Sequence, residues 1–273
     1  MASPPVVVRP VAVVETPELT ISEYFGRVAS KQDIASLAKV EVKAATEARF
    51  QTPSFQEHVI CTEGAIELVY GDGQVCRIEQ GKGAFLPPGL RVKWTWPGPA
   101  RYTVLCMPAF APEMSNSEEV PSEAAKAAAD PSLAPVLVEK VDVVDAPGIT
   151  ITEHFGKVAS KDATCSLAVA SVRGASEEAY QAPLFDEFVI CDEGSIEFVH
   201  GEGERVKIQV GEAVFLPKSL RVKWIWPEAT RYTVLCLPAF SPELSGREVE
   251  EQATVAKDSA SMQRLEALHA EAK

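Results

Sequence analysis

Two glutamates sit in near-identical apolar runs, Glu57 in QEHVIC and Glu187 in DEFVIC. A carboxyl among Val, Ile and Cys loses hydration, which disfavours its charged form, so its pKa should rise to where it can donate, accept or move a proton. The competing reading is structural: an ion pair with Lys or Arg that only fixes the strands. By strand alternation Glu57 and Cys61 share one face, as do Glu187 and Cys191. The chain's four tryptophans, Trp94, Trp96, Trp224 and Trp226, alternate in the same manner within RVKWTW and RVKWIW. They suit a stacking floor for a sugar or ring, or plain core packing. Arg101 with Tyr102, and Arg231 with Tyr232, offer a guanidinium and a phenol that would suit a carboxylate ligand. Alternation alone leaves open which of each pair points inward.

Every one of these candidates occurs twice, 130 residues apart. Residues 5–115 align with 135–245 without a gap, and 60 of the 111 positions are identical. A unit of that length holds its own core, so the chain reads as two tandem domains and not as a solenoid. Residues 116–134 (NSEEVPSEAAKAAADPSLA) read as a linker with room for a short helix. Residues 246–273 have helical composition without a strong apolar face and read as a peripheral helical tail.

Within each repeat, runs rich in Val, Ile, Phe and Tyr recur at about ten-residue spacing, separated by turn signals such as GDG and GEG. About nine short strands and no long helix imply an all-β barrel or sandwich. Arg91, Lys93, Arg221 and Lys223 alternate with the apolar residues and should face away from Val92 and Trp94 and their counterparts, as a solvated face or in ion pairs.

The spacing of Gly, Glu and Pro resembles the two motifs of the cupin superfamily. The first motif falls on Ala44, Phe50, Thr52, Glu57 and Gly64, then on Gly174, Tyr180, Ala182, Glu187 and Gly194. The second falls on Gly81, Pro87, Gly89, Val92 and Trp96, then on Gly211, Pro217, Ser219, Val222 and Trp226. The resemblance implies two double-stranded β-helix jelly-roll barrels, with the motif side chains facing the interior. The Pro-x-Gly turn and the Trp-bearing strand also resemble the metal-atypical cupins of ethanolamine utilisation and ureidoglycine aminohydrolysis. Metal-binding cupins hold an ion with three His and the Glu. Here the His positions carry Phe50, Thr52 and Val92 in one repeat and Tyr180, Ala182 and Val222 in the other. One carboxylate is too few ligands for a transition metal, so no metal and no cofactor is expected. A spacer shorter by one residue would instead bring Gln51 and Gln181 into the barrels beside the glutamates, as a weak oxygen site. His58, His154, His200 and His269 read as structural.

Composition narrows the partners. Twenty-six Lys and Arg against 39 Asp and Glu give a net charge of −13, which repels phosphate backbones, so no nucleic acid is expected. No apolar run is long enough to span a bilayer, and the N-terminus lacks a secretory pattern. Six cysteines without a paired spacing fit a reducing, cytoplasmic setting, with buried thiols as small hydrophobes. The expected function is a bicupin that binds a small organic molecule without a transition metal. The alternative is a lyase, epimerase, isomerase or aminohydrolase that uses Glu57 and Glu187 as acid or base, with a weakly held divalent ion. The binding set would be Cys61, Trp94, Trp96, Arg101, Tyr102, Tyr180, Cys191, Trp224, Trp226, Arg231 and Tyr232. A small-molecule ligand is the expected partner, with no membrane; a homodimer stays open.

Overall fold

The computed structural model describes residues 3–120, 129–248 and 259–272. Residues 121–128 and 249–258, where the linker helix and the start of the tail were expected, lie outside that set. Twenty-two strands are described. They are β1 Val6–Val8, β2 Val11–Glu15, β3 Leu19–Phe25, β4 Ser36–Val42, β5 Thr46–Gln51, β6 Gln56–Glu63, β7 Ala65–Tyr70, β8 Gln74–Glu79, β9 Gly83–Leu86, β10 Val92–Trp96, β11 Ala100–Met107 and β12 Val136–Val138. The second series is β13 Val141–Asp145, β14 Ile149–Phe155, β15 Ser166–Val172, β16 Ser176–Glu177, β17 Asp186–Glu193, β18 Ser195–His200, β19 Glu204–Gln209, β20 Ala213–Leu216, β21 Val222–Trp226 and β22 Thr230–Leu237. One α-helix, α1 Ser259–Glu271, follows, and short 3-10 turns lie at Pro112–Met114 and Pro242–Leu244. The class is all-β, as the strand spacing implied.

The chain divides into two compact units, residues 10–139 and residues 1–9 with 140–273. The first contains a seven-stranded sheet, β12-β9-β6-β11-β4-β3-β2, and a four-stranded sheet, β5-β10-β7-β8. The second repeats this as β1-β20-β17-β22-β15-β14-β13 and β16-β21-β18-β19. In each unit the apolar faces of the two sheets enclose one core, as in a jelly roll. Pro10 splits the VVVRPVAVV run, because a proline has no N–H to donate to a ladder. The piece before it, β1, pairs with β20 of the second repeat, while β12 pairs with β9 of the first. The sequence repeats and the compact units are therefore offset by one strand.

Alternation holds where one sheet face meets the core. Val92, Trp94 and Trp96 are buried while Lys93 and Thr95 between them are partly exposed, and β21 repeats the pattern. Lys93 pairs with Glu47 and Lys223 with Glu177, as expected of outward residues. Arg91 and Arg221 lie over the rings of Phe50 and Tyr180, 3.8 and 3.7 Å from their centroids. Each also makes a bidentate ion pair, Arg91 with Glu118 and Arg221 with Glu248. The central strand β6 departs from alternation, since every residue from Glu57 to Cys61 is buried. The two faces of that strand pack differently. Val59 and Cys61 belong to the barrel core, whereas His58 packs against Phe85, which is not part of it.

One local device is shared by both units. Glu23 and Glu153 fold back on their own chain and accept hydrogen bonds from the N–H groups of Val28 and Ala29, and of Val158 and Ala159. A Cβ on Gly26 or Gly156 would meet the glutamate carboxyl carbon at 2.7 or 2.6 Å, so both turns require glycine.

Candidate functional site in the second barrel

Ladder register fixes the two expected carboxyls at matching places. Glu57 lies opposite Leu86 and Cys106, and Glu187 opposite Leu216 and Cys236. Desolvation raises both from 4.5 to about 8. Around Glu187 the charge of Glu178 adds to the rise and that of Arg247 opposes it. Oε2 of Glu187 is buried without a hydrogen-bond partner among the described residues. An ionised carboxylate is costly in that position, so the acid is mostly protonated at neutral pH.

Glu187 faces a cavity of about 540 Å³. Trp224 and Tyr232 from the expected set also line it, together with Glu178, Gln181 and Arg247. Arg247 Nη2 lies 3.1 Å from Oε2 of the buried Glu178. The four-stranded sheet makes this arrangement. Where β5 runs on to Gln51 in the first repeat, β16 stops at Glu177, and Glu178 turns into the interior. The chain rejoins at Gln181, which bridges both Val222 and Arg247. Gln181 is the residue that the one-residue motif shift would bring inside, and the cavity does contain it. Trp224 contributes an indole N–H that is buried without a hydrogen-bond partner among the described residues. A ligand with oxygen acceptors would satisfy it.

The remaining expected residues separate into packing and surface. Trp94, Trp96 and Tyr102 form an aromatic trio of stacked and tilted rings with centroids 5.8 to 6.3 Å apart, and Trp224, Trp226 and Tyr232 form another at 5.5 to 6.1 Å. Of the second trio, Trp226 is not among the cavity-lining residues. Burial pushes the Tyr232 phenol and the Cys236 thiol well up, so neither ionises near neutrality. Cys61 and Cys191 are core residues whose thiols point to the carbonyls of Glu63 and Gly64, and of Glu193 and Gly194. Arg101 and Arg231 take the outward position on their strands: Arg101 pairs with Glu41 and Glu63 at the surface, and Arg231 lies 4.0 Å from Glu193. Their expected place in a ligand pocket is corrected accordingly, because alternation sends Tyr102 and Tyr232 inward and the arginines out. Tyr180 lies under Arg221 and does not line the cavity.

Glu178 and Arg247 were missed by the sequence reading. The same offset of 130 carried the available signal: the matching positions hold Ala48 and Ser117, so neither half of the pair has a charged counterpart in the first repeat. Replacing Arg247 by Met should cost about 3 kcal/mol, because it strands the Glu178 carboxylate, whose side chain is 8% exposed. The same change should move the Glu187 pKa further up, because a cation that lowers it is gone. Urea unfolding and a carboxyl titration followed by isotope-edited NMR would read the two effects.

The described residues that line the cavity include no histidine. Its carboxyl and thiol donors are Glu153, Glu178, Glu187, Glu248, Glu266 and Cys236, and Arg247 lies among them, paired with Glu178. The lining thus lacks the imidazole donors of a histidine-based metal centre.

No family model matches the chain. A stretch of 100 residues is 32% identical to the endoribonuclease YbeY of Myxococcus xanthus strain DK1622, over 36% of this chain and 34% of that protein. The match thus spans about a third of that relative's length. Among solved structures, a mutant of Bacillus subtilis oxalate decarboxylase superposes with a TM-score of 0.63 at 10% identity, over 85% of this chain and 78% of that one. A deletion variant of the same enzyme gives 0.64 at 9% identity, over 85% and 77%. That decarboxylase has Mn(II) centres. At such identity the likeness shows the fold alone, an all-β architecture of double-stranded β-helix barrels. Among the described residues, no helix is long and apolar enough to cross a membrane.

Proposed function

We propose that the second barrel is an acid–base site for a small oxygen-rich organic molecule, with Glu187 as the group that moves the proton, and that the first barrel is scaffold. The observation that carries this reading is the buried carboxyl of Glu187, whose Oε2 lacks a hydrogen-bond partner among the described residues, at the wall of a cavity that also holds the Glu178–Arg247 pair. A carboxylate with a pKa near 8 is a stronger base than an ordinary one. A substrate carbonyl or carboxylate oxygen would accept hydrogen bonds from the Trp224 indole N–H and from Arg247. Ionised Glu187 would then take a proton from the carbon beside that carbonyl, the C–H electron pair forming the enolate double bond. The same carboxyl returns the proton at another face or atom, which is isomerase or epimerase chemistry. Glu57 has a matching carboxyl, yet Ala48 and Ser117 leave it without the second charged pair.

The test uses pyruvate, α-ketobutyrate and α-ketoglutarate in deuterated buffer, with loss of the C–H signal followed by proton NMR. Exchange should rise with pH to a plateau above about 8. Glu187→Gln should slow it by at least about a hundredfold, and Glu57→Gln should leave it unchanged. Thermal stabilisation by one of these acids without exchange would favour binding without turnover. Neither effect with any of them overturns the reading.

A further inference from the structure

Helix α1 covers a surface of the second unit that the first unit possesses in duplicate and that, among the described residues, stays bare there. In the second unit Leu265 packs with Val143 and Val158, and Met262, Leu268, Val144 and Phe240 join them. The buried face of the helix runs through Ser261, Leu265 and His269. His269 meets Phe240 edge-on at 5.6 Å, and its charge acts on Glu153 beneath.

The receptor half of this contact is copied residue for residue. Val13, Val14, Val28, Phe110 and Glu23 stand where the second unit has Val143, Val144, Val158, Phe240 and Glu153. Their exposure differs sharply: Val13 and Val28 are 39% and 44% exposed, against 5% and 6% for Val143 and Val158. Phe110 is 39% exposed and Val11 and Val14 are 39% and 37%. All five residues of strand β2 are exposed. Glu23 keeps the hydrogen bonds of Glu153 to its own turn, so the acidic floor of the groove is built as well.

We infer that this face of the first unit, around Val13, Val28 and Phe110 with Glu23 below, docks an amphipathic helix of a partner protein that resembles α1. The inference does not depend on the acid–base reading of the Glu187 cavity, although Val143, Val144, Phe240, Met262 and Leu265 also line that cavity in the second unit. The partner helix presents Met or Leu at positions i and i+3, as Met262 and Leu265 do, and a His, Lys or Arg at i+7, where α1 has His269. A cation there complements Glu23 and the chain's net charge of −13. Helix exchange between two copies is the poorer occupant, because each chain has two such grooves and one described helix. Every groove filled by a second copy's helix empties the groove it came from, so no apolar area is gained.

A fluorescent peptide of residues 259–273, added to the full chain, tests the proposal by anisotropy. One peptide per chain should bind saturably. Val13→Asp and Val28→Asp, both at exposed positions, should weaken binding at least about tenfold, as should Leu265→Asp within the peptide. If the peptide were displacing α1 from the second unit, Leu265→Ala in the chain would tighten binding and Val13→Asp would not affect it; that result overturns the proposal. So does absence of saturable binding. A concentration-dependent dimer dissolved by Val13→Asp, for which the peptide does not compete, would assign the surface to a second copy and also overturn it.

Discussion

The double variant Glu57→Gln, Glu187→Gln is expected to be more stable than the parent chain in alkali and about equally stable in mild acid. Both carboxyls are raised from 4.5 to about 8 in the folded protein, chiefly by burial. Between those values the native state holds a proton at each site that the unfolded chain has released. Stability is therefore complete below the unfolded pKa, falls as pH rises toward 8, and levels off above it. Each site forfeits on the order of 5 kcal/mol across that window. Glutamine keeps the shape and cannot ionise, so the variant's profile should lack this fall. Urea unfolding at about pH 5 and about pH 9 reads the difference directly. A variant less stable than the parent in alkali would show that the carboxylates are ionised and paired, and would remove the basis for Glu187 as a base. The single variants separate the barrels, because only Glu187 has Glu178 and Arg247 as charged neighbours.

Arg91→Met should destabilise the protein by about 3–5 kcal/mol, whereas the same change at the matching Arg221 should have a small effect. Both arginines make a bidentate pair with a glutamate and lie over an aromatic ring. Burial distinguishes them. The Arg91 and Glu118 side chains are 8% and 11% exposed, while those of Arg221 and Glu248 are 51% and 43% exposed. Removing Arg91 strands a buried carboxylate, and removing Arg221 leaves Glu248 to water. Thermal and urea unfolding of the two variants side by side would check this, and equal losses would contradict it. Added salt should weaken the Arg221 pair more than the Arg91 pair, because exposed charges are screened and buried ones are not.

Duplication, strand class and the inward set were all present in the chain itself. A gapless offset of 130 residues needs no structure to be seen, and period-two alternation forces Val92, Trp94 and Trp96 to one face. The raised pKa of Glu57 and Glu187 followed from their apolar neighbours in the strand, since desolvation is set by what surrounds a group. Strand β5 was missed because TEARFQ is too polar to look like a strand; its pairing to β10 comes from the partner's backbone. Other features depended on residues far apart in sequence. Glu178 and Arg247 are 69 positions apart and meet only after the β16 strand breaks and the segment after β22 returns across it. No local pattern records such a contact. The exchange of β1 and β12 between the repeats is invisible for the same reason, as each pairs with a strand more than 50 residues away, β1 with β20 and β12 with β9. The apolar face of α1 had too weak a periodicity to stand out; its burial comes from the valines of β13 and from Phe240. Sequence determined what each strand buries, because that is a property of neighbours along the chain. Tertiary structure alone decided which charges share a cavity and which of two identical valine surfaces is covered, because those depend on where distant segments come to rest.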